Sequence, residues 1–324
     1  MSYKIISKFS TELSDNDWLQ IRESFNLVFN KDMSVQFFKK KYTDCYLGYS
    51  THGILYHDNK IVGCFTIIPR EYSFFNKIET IGLACDAYIL KGFRQDELIL
   101  RKISESAILK ISSKNVNKFI SLPNPDAYKY WKYLSNWKDI GELNYYAYPV
   151  NLSKIIFKKL NLSYISLIIS CVVSYVFKLI YSFSNKSETK NIFIKFDNYS
   201  INHRFNLNDY KFVSLNKLDW GYYRVNKEGD LNVAYIIHVN CLSKKNLANM
   251  INKIIKQNGK KIDIIMYIGN PIYKPFNLFK VPKKMYPRKL IFTGLCEINK
   301  SHKENSDFLS LNNWEVSLVN FDNR

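Results

Sequence analysis

A repeated pattern constrains the fold of this chain more than any other feature of its sequence. An apolar run, an Asn-Pro dipeptide and then alternating aromatic and Lys residues occur as FISLPNPDAYKYWKYL around Asn124 and as MYIGNPIYKPFNLF around Asn270. Self-similarity at a fixed distance is typical of chains built from related units. With 324 residues, enough for two domains, the sequence predicts two related modules rather than one continuous sheet.

Strand and helix patterns alternate within each half. GILYH (53–57) and IVGCFTI (61–67) flank a short turn, so residues 52–90 predict an antiparallel meander. Helical spacing follows at 100–111 and at 242–257. We therefore predict an α/β (α+β) chain with two modules, each a mixed, mostly antiparallel sheet flanked by helices. The predicted ranges are 1–150 and 191–324, joined by an apolar and basic helical linker at 151–190.

The strongly basic composition suggests a nucleic-acid partner but is weak evidence for one. The formal net charge is +19, but only 8 of the 47 basic residues are Arg, the residue that grips phosphates and reads guanine edges with two hydrogen bonds. A chain rich in Lys, Asn, Ile and Tyr is also typical of an AT-rich coding sequence. We therefore expect no nucleic-acid partner and favour an anionic small molecule or an acidic lipid surface.

Neither cysteine nor histidine spacing predicts a metal site. The six Cys residues form no CxxC pair, and the five His residues form no HxxxH or HxxE pattern. Most of the cysteines lie in apolar runs, as small buried side chains of a reducing compartment do.

The start, MSYKIISKF, has no signal-peptide pattern. We expect a cytoplasmic protein that is peripheral at the inner face of the cell membrane.

An uncharged run at 161–177, NLSYISLIISCVVSYVF, gives the predicted linker three alternatives: a membrane-surface helix, a buried helix or a transmembrane span. Seventeen residues give about 25 Å of helix, short of the roughly 30 Å hydrocarbon core. A surface helix is favoured because its apolar and Ser residues segregate to different sides. One side carries Leu162, Ile165, Ile169, Val172, Val173 and Val176, and Ser163, Ser170 and Ser174 lie mostly on another. Four flanking basic residues are predicted to reach acidic headgroups: Lys154, Lys158, Lys159 and Lys186.

Four segments of the first 150 residues, in order, resemble the GNAT acyltransferase superfamily, especially members found with bacterial surface-polysaccharide genes. They are FFKKKYTDCYLGYS, the hairpin YHDNKIVGCFTIIP, DAYILKGFRQDEL and SLPNPDAYKYWKYLSNW. The third is similar to the phosphate-binding segment between the central strand and the following helix of that superfamily. The resemblance implies acetyl-CoA or another acyl-CoA as co-substrate, with its pyrophosphate at a helix N-terminus. The cofactor-binding residues that it implies are Tyr88, Leu90, Arg94, Gln95, Asp96 and Glu97.

This third segment departs from the family at the phosphate-binding turn. Arg94 matches the family's arginine, but Gln95 and Glu97 replace both expected glycines. Acidic side chains beside a pyrophosphate are unfavourable unless they point into solvent. The alternative interpretation is a helix start at which Asp96 and Glu97 satisfy the helix dipole.

The resemblance also implies catalytic residues. Asn124 matches an Asn at the end of a splayed strand, and the following helix offers Tyr128, Tyr130 and Tyr133, with Trp131 at the commonest Tyr position of the family. We take Tyr128 as the proton donor to a leaving thiolate, a role that suits a phenol with a pKa near 10. Asp86 is a candidate for orienting an acceptor amine or hydroxyl. A packed aromatic face and a plain strand-end Asp are the corresponding structural interpretations.

The second half resembles the second module of tandem GNAT proteins. WGYYR (220–224) and NNWEVSLVNFDNR are similar to its opening and closing segments, with Asn320 and Asp322 near acidic positions, and no glycine-rich phosphate loop is present. Together these resemblances imply an N- or O-acyltransferase acting on an amino or hydroxyl group of a sugar nucleotide or lipid-linked sugar, in surface-polysaccharide synthesis. The alternative is a catalytically inactive GNAT-like binding or scaffold protein at an anionic membrane surface.

Overall fold

The computed structural model describes residues 3–43, 47–94, 96, 98–152, 154, 163–183, 190–196, 205, 210–296 and 302–321. The chain divides into two compact units, each built from separate stretches of sequence. Unit 1 comprises Met1–Glu142, Ile194–Leu207 and Leu290–Leu311. Unit 2 comprises Leu143–Phe193, Asn208–Lys289 and Asn312–Arg324.

Unit 1 contains a mixed sheet in which one neighbouring pair is parallel. The strand order is β1-β2-β3-β4-β5-β14-β6, parallel only between β4 and β5. The strands are β1 (Tyr3–Phe9), β2 (Thr51–His57), β3 (Lys60–Phe74), β4 (Lys77–Ile89), β5 (Lys118–Ser121), β6 (Lys138–Glu142) and β14 (Ile291–Cys296). The antiparallel strands β2, β3 and β4 form the predicted meander.

Unit 1 has five helices in the described residues, and three of them begin at a capping side chain. The five are α1 (Asp15–Phe29), α2 (Val35–Tyr42), α3 (Ile99–Ser112), α4 (Pro125–Leu134) and α7 (His302–Phe308). Ser14 caps α1, Ser34 caps α2 and Asn124 caps α4, each through an accepted backbone N–H. The helix α3 forms the crossover between the parallel strands and buries Ile103, Ala107 and Ile111.

Unit 2 repeats the arrangement of meander, crossover helix and parallel strand. Its sheet order is β13-β7-β12-β11-β10-β9, and the parallel pair is β11–β12. The strands are β7 (Asn144–Pro149), β9 (Lys211–Ser214), β10 (Trp220–Glu228), β11 (Leu231–Val239), β12 (Ile264–Gly269) and β13 (Phe279–Lys280). The helices are α5 (Ser163–Ser182) and the crossover α6 (Lys244–Asn258). The short strand β8 (Ile192–Ile194) lies where the chain leaves this unit.

The predicted fold class is confirmed: two mixed sheets, each flanked by helices. The compact units, however, do not coincide with the predicted ranges 1–150, 151–190 and 191–324. The physical reason is an exchange of strands: β7, from the first half, pairs with β12 of unit 2, whereas β14, from the second half, pairs with β5 and β6 of unit 1.

The helix α5 is a layer of unit 2 rather than a separate linker. Its Leu167 and Val173 pack against the core cluster of that unit, and the Ser170 hydroxyl donates to the Val150 carbonyl at 2.8 Å. With 20 residues it continues past Lys178 and is about 30 Å long.

Among the described residues one helix, Tyr164–Ser182, is long and apolar enough to cross a membrane by length and composition. Its mean hydropathy is 1.9, and 22% of it is buried.

Candidate functional site

A fork between β4 and β5 of unit 1 creates the candidate site. The two strands pair only at Gly82–Phe119 and Leu83–Ile120 and then separate. A Cβ atom on Gly82 would lie 2.7 Å from the Phe119 ring, so the close approach at the base of the fork requires glycine. Beyond this point β4 bulges toward its other neighbour: the register with β3 shifts between Cys64 and Thr66, and Asp86 has φ +48°.

The fork opens into a cleft of about 670 Å³. It is bounded by the end of β4, the start of α3, one face of α4 and the last turn of α1. Its lining side chains are mainly apolar and aromatic, with several charged groups at the rim: Val28, Phe29, Ala87, Tyr88, Ile89, Arg94, Asp96, Ile99, Leu100, Asn124, Asp126, Ala127, Lys129, Tyr130, Tyr133 and Leu134. The volume lies in the range of small-molecule sites.

Four of the predicted site residues line this cleft together: Tyr88, Arg94, Asp96 and Asn124. The Asn124 side chain accepts the Ala127 N–H at 2.8 Å and so starts α4 at the mouth of the fork. The Arg94 Nε donates to the Ile89 carbonyl at 2.8 Å. The Tyr88 hydroxyl contacts the Ser24 hydroxyl at 2.9 Å, and its burial raises the pKa of Tyr88 well above its ordinary value.

Three backbone N–H groups at the start of α3 are already bonded within the chain. The Asp96 carboxylate accepts the Leu98 N–H at 2.8 Å, and its backbone carbonyl accepts the Ile99 N–H at 3.1 Å. The Tyr130 hydroxyl accepts the Arg101 N–H at 3.0 Å. The pKa of Asp96 is lowered by hydrogen bonds from Lys102 and from this N–H of Leu98. Asp96 therefore forms a turn just ahead of α3, whose N-cap residue, Leu98, receives no side-chain cap hydrogen bond.

The other predicted residues lie elsewhere or outside the described residues. Leu90 packs against the core of unit 1 and donates its N–H to the Val62 carbonyl at 2.8 Å. Tyr128 is not among the side chains that line the cleft; its hydroxyl donates to Asp139 at 2.9 Å. Tyr130 and Tyr133 line the cleft instead, because residues two positions apart on a helix point about 200° apart. Gln95 and Glu97 lie outside the described residues.

Asp86 belongs to a buried polar cluster and is not among the cleft-lining side chains. Its carboxylate accepts hydrogen bonds from the Lys41 ammonium at 2.5 Å and from the Tyr42 hydroxyl. The side chain of Lys41 is 3% exposed and that of Asp86 is 12% exposed. The contacts of Asp86 in the described residues are therefore those of a buried structural ion pair.

Sequence reasoning missed the contribution of α1 and of Lys129 to the cleft. Val28 and Phe29 end an amphipathic helix whose earlier residues, Trp18 and Ile21, are core, so their local pattern gave no sign of a site. The signal for α4 was present: Ala127, Tyr130 and Leu134 follow helical spacing from the cap at Asn124.

The corresponding fork of unit 2 is covered by the chain's own C-terminal segment. The Asn270 side chain donates to the Trp314 carbonyl at 2.7 Å and accepts the Val316 N–H at 2.9 Å. A Cβ on Gly269 would lie 2.0 Å from the Val316 carbonyl oxygen, so only glycine fits under this segment. Asn320 is 1% exposed and accepts the Ser317 N–H at 2.9 Å, whereas Asp322 lies outside the described residues.

Among the described residues no group of three or more His, Cys, Asp or Glu could hold a metal ion. The cysteines of these residues, Cys64, Cys85, Cys171, Cys241 and Cys296, form no disulfide.

No protein-family model matches the chain, and no curated protein matches it in sequence. Solved structures resemble it in fold. A conserved protein of unknown function from Enterococcus faecalis, described as a probable N-acyltransferase, superposes with a TM-score of 0.58 at 10% identity, covering 91% of this chain and 73% of that one.

A GCN5-related N-acetyltransferase from Anabaena variabilis gives the same TM-score of 0.58 and 10% identity, with coverages of 90% and 72%. At this level of identity the similarity concerns the fold alone. The chain therefore shares its fold with structures of GCN5-related N-acetyltransferases.

Proposed function

We propose that this chain is an acyl-CoA-dependent N- or O-acyltransferase whose reaction takes place in the cleft of unit 1. The observation that carries the proposal is the fork between β4 and β5, which opens the cleft beside the crossover helix of a GNAT-like sheet. On the side facing β5, β4 has no register partner beyond Leu83 among the described strands. That edge offers backbone groups to an extended, amide-containing chain such as the pantetheine arm of coenzyme A.

The residues of the cleft suit the two ends of such a ligand unequally. The fork itself is apolar and aromatic, as a thioester and its arm require. The start of α3 fits a pyrophosphate poorly, since Asp96 and Tyr130 already accept N–H groups there. Binding of the phosphates requires the Asp96 carboxylate to turn away. Arg94 and Lys129, both lining the cleft, are the cations available to them.

The reaction requires an acceptor placed beside the thioester and a proton donor for the departing sulfur. An acceptor amine or hydroxyl attacks the thioester carbonyl, the carbon–sulfur bond breaks, and the departing sulfur takes a proton. Tyr130 and Tyr133 carry the phenol groups that line the cleft from α4, and we propose that one of them supplies this proton in place of Tyr128. We further propose a sugar-type acceptor, a sugar nucleotide or lipid-linked sugar of surface-polysaccharide synthesis, on the resemblance of the four sequence segments.

Release of free thiol from acetyl-CoA, assayed with amino-sugar nucleotides as acceptors, tests this function. We expect either Tyr130→Phe or Tyr133→Phe to lower kcat at least roughly a hundredfold, the lower end of what a positioned acid contributes. Tyr128→Phe, a matched change on the opposite side of α4, should stay within twofold. Equal losses in all three variants would contradict the assignment of the proton donor.

The second candidate function is a catalytically inactive GNAT-like binding or scaffold protein at a membrane surface. The hydrogen bonds at the start of α3 favour it, because N–H groups that already have partners within the chain do not need a ligand anion. Wild-type protein that binds neither acetyl-CoA nor coenzyme A at millimolar concentration would support this candidate and refute the first.

A further inference from the structure

The helix α5 has its polar and apolar sides reversed relative to an ordinary surface helix. Ser166, Ser170 and Ser174 face inward, at 6%, 3% and 0% exposure. Their hydroxyls are satisfied within unit 2: the Leu152 N–H donates to Ser166 at 2.6 Å, and the Asn252 amide of α6 donates to Ser174 at 3.0 Å. Small side chains at every fourth position let α5 approach its neighbour α6 closely.

The opposite side of α5 is a continuous apolar stripe. Ten large side chains from Tyr164 to Phe183 are between 45% and 87% exposed, at the spacing of one helix face. We call them the α5 face: Tyr164, Ile165, Ile168, Ile169, Val172, Tyr175, Val176, Leu179, Ile180 and Phe183. The combined exposed area of ten large side chains, each about half exposed, is greater than the roughly 300–600 Å² of the largest apolar patch on a typical monomer. A patch of this size marks an interaction surface.

The charge around the α5 face selects an anionic partner. Neither α5 nor the stretch from Leu231 to Ile262, which includes α6, contains an Asp or a Glu. The stretch carries six Lys residues instead, at 244, 245, 253, 256, 260 and 261. Two of them lie directly beside the aromatic groups of the face: the Lys260 ammonium is 3.1 Å from the centre of the Tyr164 ring, and Lys256 is 5.8 Å from that of Tyr175.

We propose that the α5 face docks on an anionic lipid bilayer, with the helix lying in the plane of the headgroups. Tyr and Lys at the edge of an apolar stripe are the residues of a membrane–water interface, since each has an apolar body and a polar tip. Lys178, within α5 itself, is half-buried with its ammonium 6.0 Å from the Tyr175 ring, from where its flexible stem reaches a headgroup. This proposal concerns unit 2 and does not depend on the proposed acyltransferase activity.

A spanning arrangement disagrees with the neighbours of α5. The hydrogen bond from Asn252 to Ser174 fixes α6 beside the middle of α5. Insertion of α5 across the bilayer would carry α6, with Lys253 and Lys256, to the depth of the hydrocarbon, where charged side chains are costly. The Lys154 ammonium, one of the four groups predicted to reach headgroups, pairs with buried Asp263 at 2.8 Å, and the other three lie outside the described residues.

Flotation of the full-length chain with liposomes tests the proposal. The vesicles are phosphatidylcholine alone or phosphatidylcholine with a third phosphatidylglycerol. We expect at least fivefold more protein to float with the anionic vesicles than with the neutral ones. High salt and carbonate washing should each release it. Absence of flotation with either vesicle, or resistance to carbonate, would overturn the interfacial arrangement.

Matched variants separate the contributions of the face and of the charges. Ile165→Ser, Ile169→Ser and Val172→Ser, combined in one variant, should reduce flotation at least fivefold. Leu109→Ser, at a 74% exposed position of α3, should have no effect. Lys256→Gln with Lys260→Gln should weaken binding more than Lys217→Gln with Lys227→Gln, two exposed positions of the β9–β10 region. A triple variant that floats like the wild type would refute the proposal.

Sedimentation of the protein without lipid provides the remaining discrimination. We expect that the wild-type protein does not self-associate through the α5 face. Dimers at micromolar concentration that disappear in this variant would identify the α5 face as an interface between two copies of the chain and overturn the membrane assignment.

Discussion

At the scale of single residues, His52 on β2 gives the stability of unit 1 a pH dependence. Its ring is fully buried and contacts the Ser50 hydroxyl at 2.9 Å and the Thr66 hydroxyl at 3.0 Å, and burial lowers the pKa of His52 from 6.5 to about 3. Below pH 6.5 the unfolded chain takes up a proton that the folded chain excludes until about pH 3. Stability that is fully present above pH 6.5 is therefore lost as the pH falls.

Below pH 6, we expect the contribution of His52 to lower the free energy of unfolding by about 1.4 kcal/mol per pH unit. Urea unfolding at pH 7 and pH 5.5, followed by tryptophan fluorescence, measures it; Trp18 lies 5.9 Å from the His52 ring. His52→Gln, which cannot titrate, should reduce the slope by that amount. An unchanged slope in this variant would show that His52 is not the responsible group.

Asp96 is the residue whose charge opposes phosphate binding at α3. Asp96→Asn keeps an acceptor for the Leu98 N–H and removes the negative charge, so we expect coenzyme A to bind about fivefold more tightly, the modest gain typical of an exposed charge. Pantetheine, which lacks the phosphates, should bind equally to both proteins. Asp15→Asn removes a charge from the exposed ion pair with Lys39 and serves as the control. Equal affinities of the Asp96 variant and wild type for coenzyme A would contradict this role.

At the scale of elements, substitutions on the Ser side of α5 should destabilise the protein more than substitutions on its exposed apolar side. Ser174→Leu replaces a fully buried small side chain and leaves the Asn252 amide without its partner, so overpacking should cost about 1–3 kcal/mol. Ile168→Ser removes an apolar side chain that is 58% exposed, and its effect should stay within about 0.5 kcal/mol. Chemical unfolding measures both. The reverse order would mean that the Ser side of α5 faces solvent.

The exchanged strand β14 makes unit 1 dependent on the second half of the chain. It lies between β5 and β6, and a Cβ on its Gly294 would contact Ile140 and Phe308 at 2.8 Å. A fragment of residues 1–190 lacks this strand and exposes the edge of β5. We expect it to be insoluble alone and recovered with a co-expressed fragment of residues 191–324. A folded, monomeric 1–190 fragment would contradict the exchange.

At the scale of the whole molecule, local patterns predicted the parts of the fold that are local. The hairpin at 52–90 and the strand ending at Asn124 carry their period and their turn residues in the sequence. The partners of β7 and β14 could not be predicted, since strand exchange depends on contacts between residues more than 100 positions apart, as between Tyr145 and Ile268.

The same limit applies to the candidate site. Arg94, Asp96 and Asn124 were predicted from a resemblance of short motifs, and the fork brings them to one cleft. Tyr128 was chosen over Tyr130 and Tyr133 because the motif does not fix the rotation of α4. That rotation is set by burial of Trp131 against Phe65 and Trp137, two residues outside the helix.

The proposed activity requires acyl-CoA to bind in the cleft of unit 1, and isothermal titration calorimetry with acetyl-CoA measures this binding. We predict saturable binding to the wild type that is abolished by Ala127→Trp, which fills the cleft from α4, and retained by Leu109→Trp, at an exposed position of α3 outside it. Absence of binding to the wild type at millimolar acetyl-CoA, or equal binding to both variants, would contradict the account.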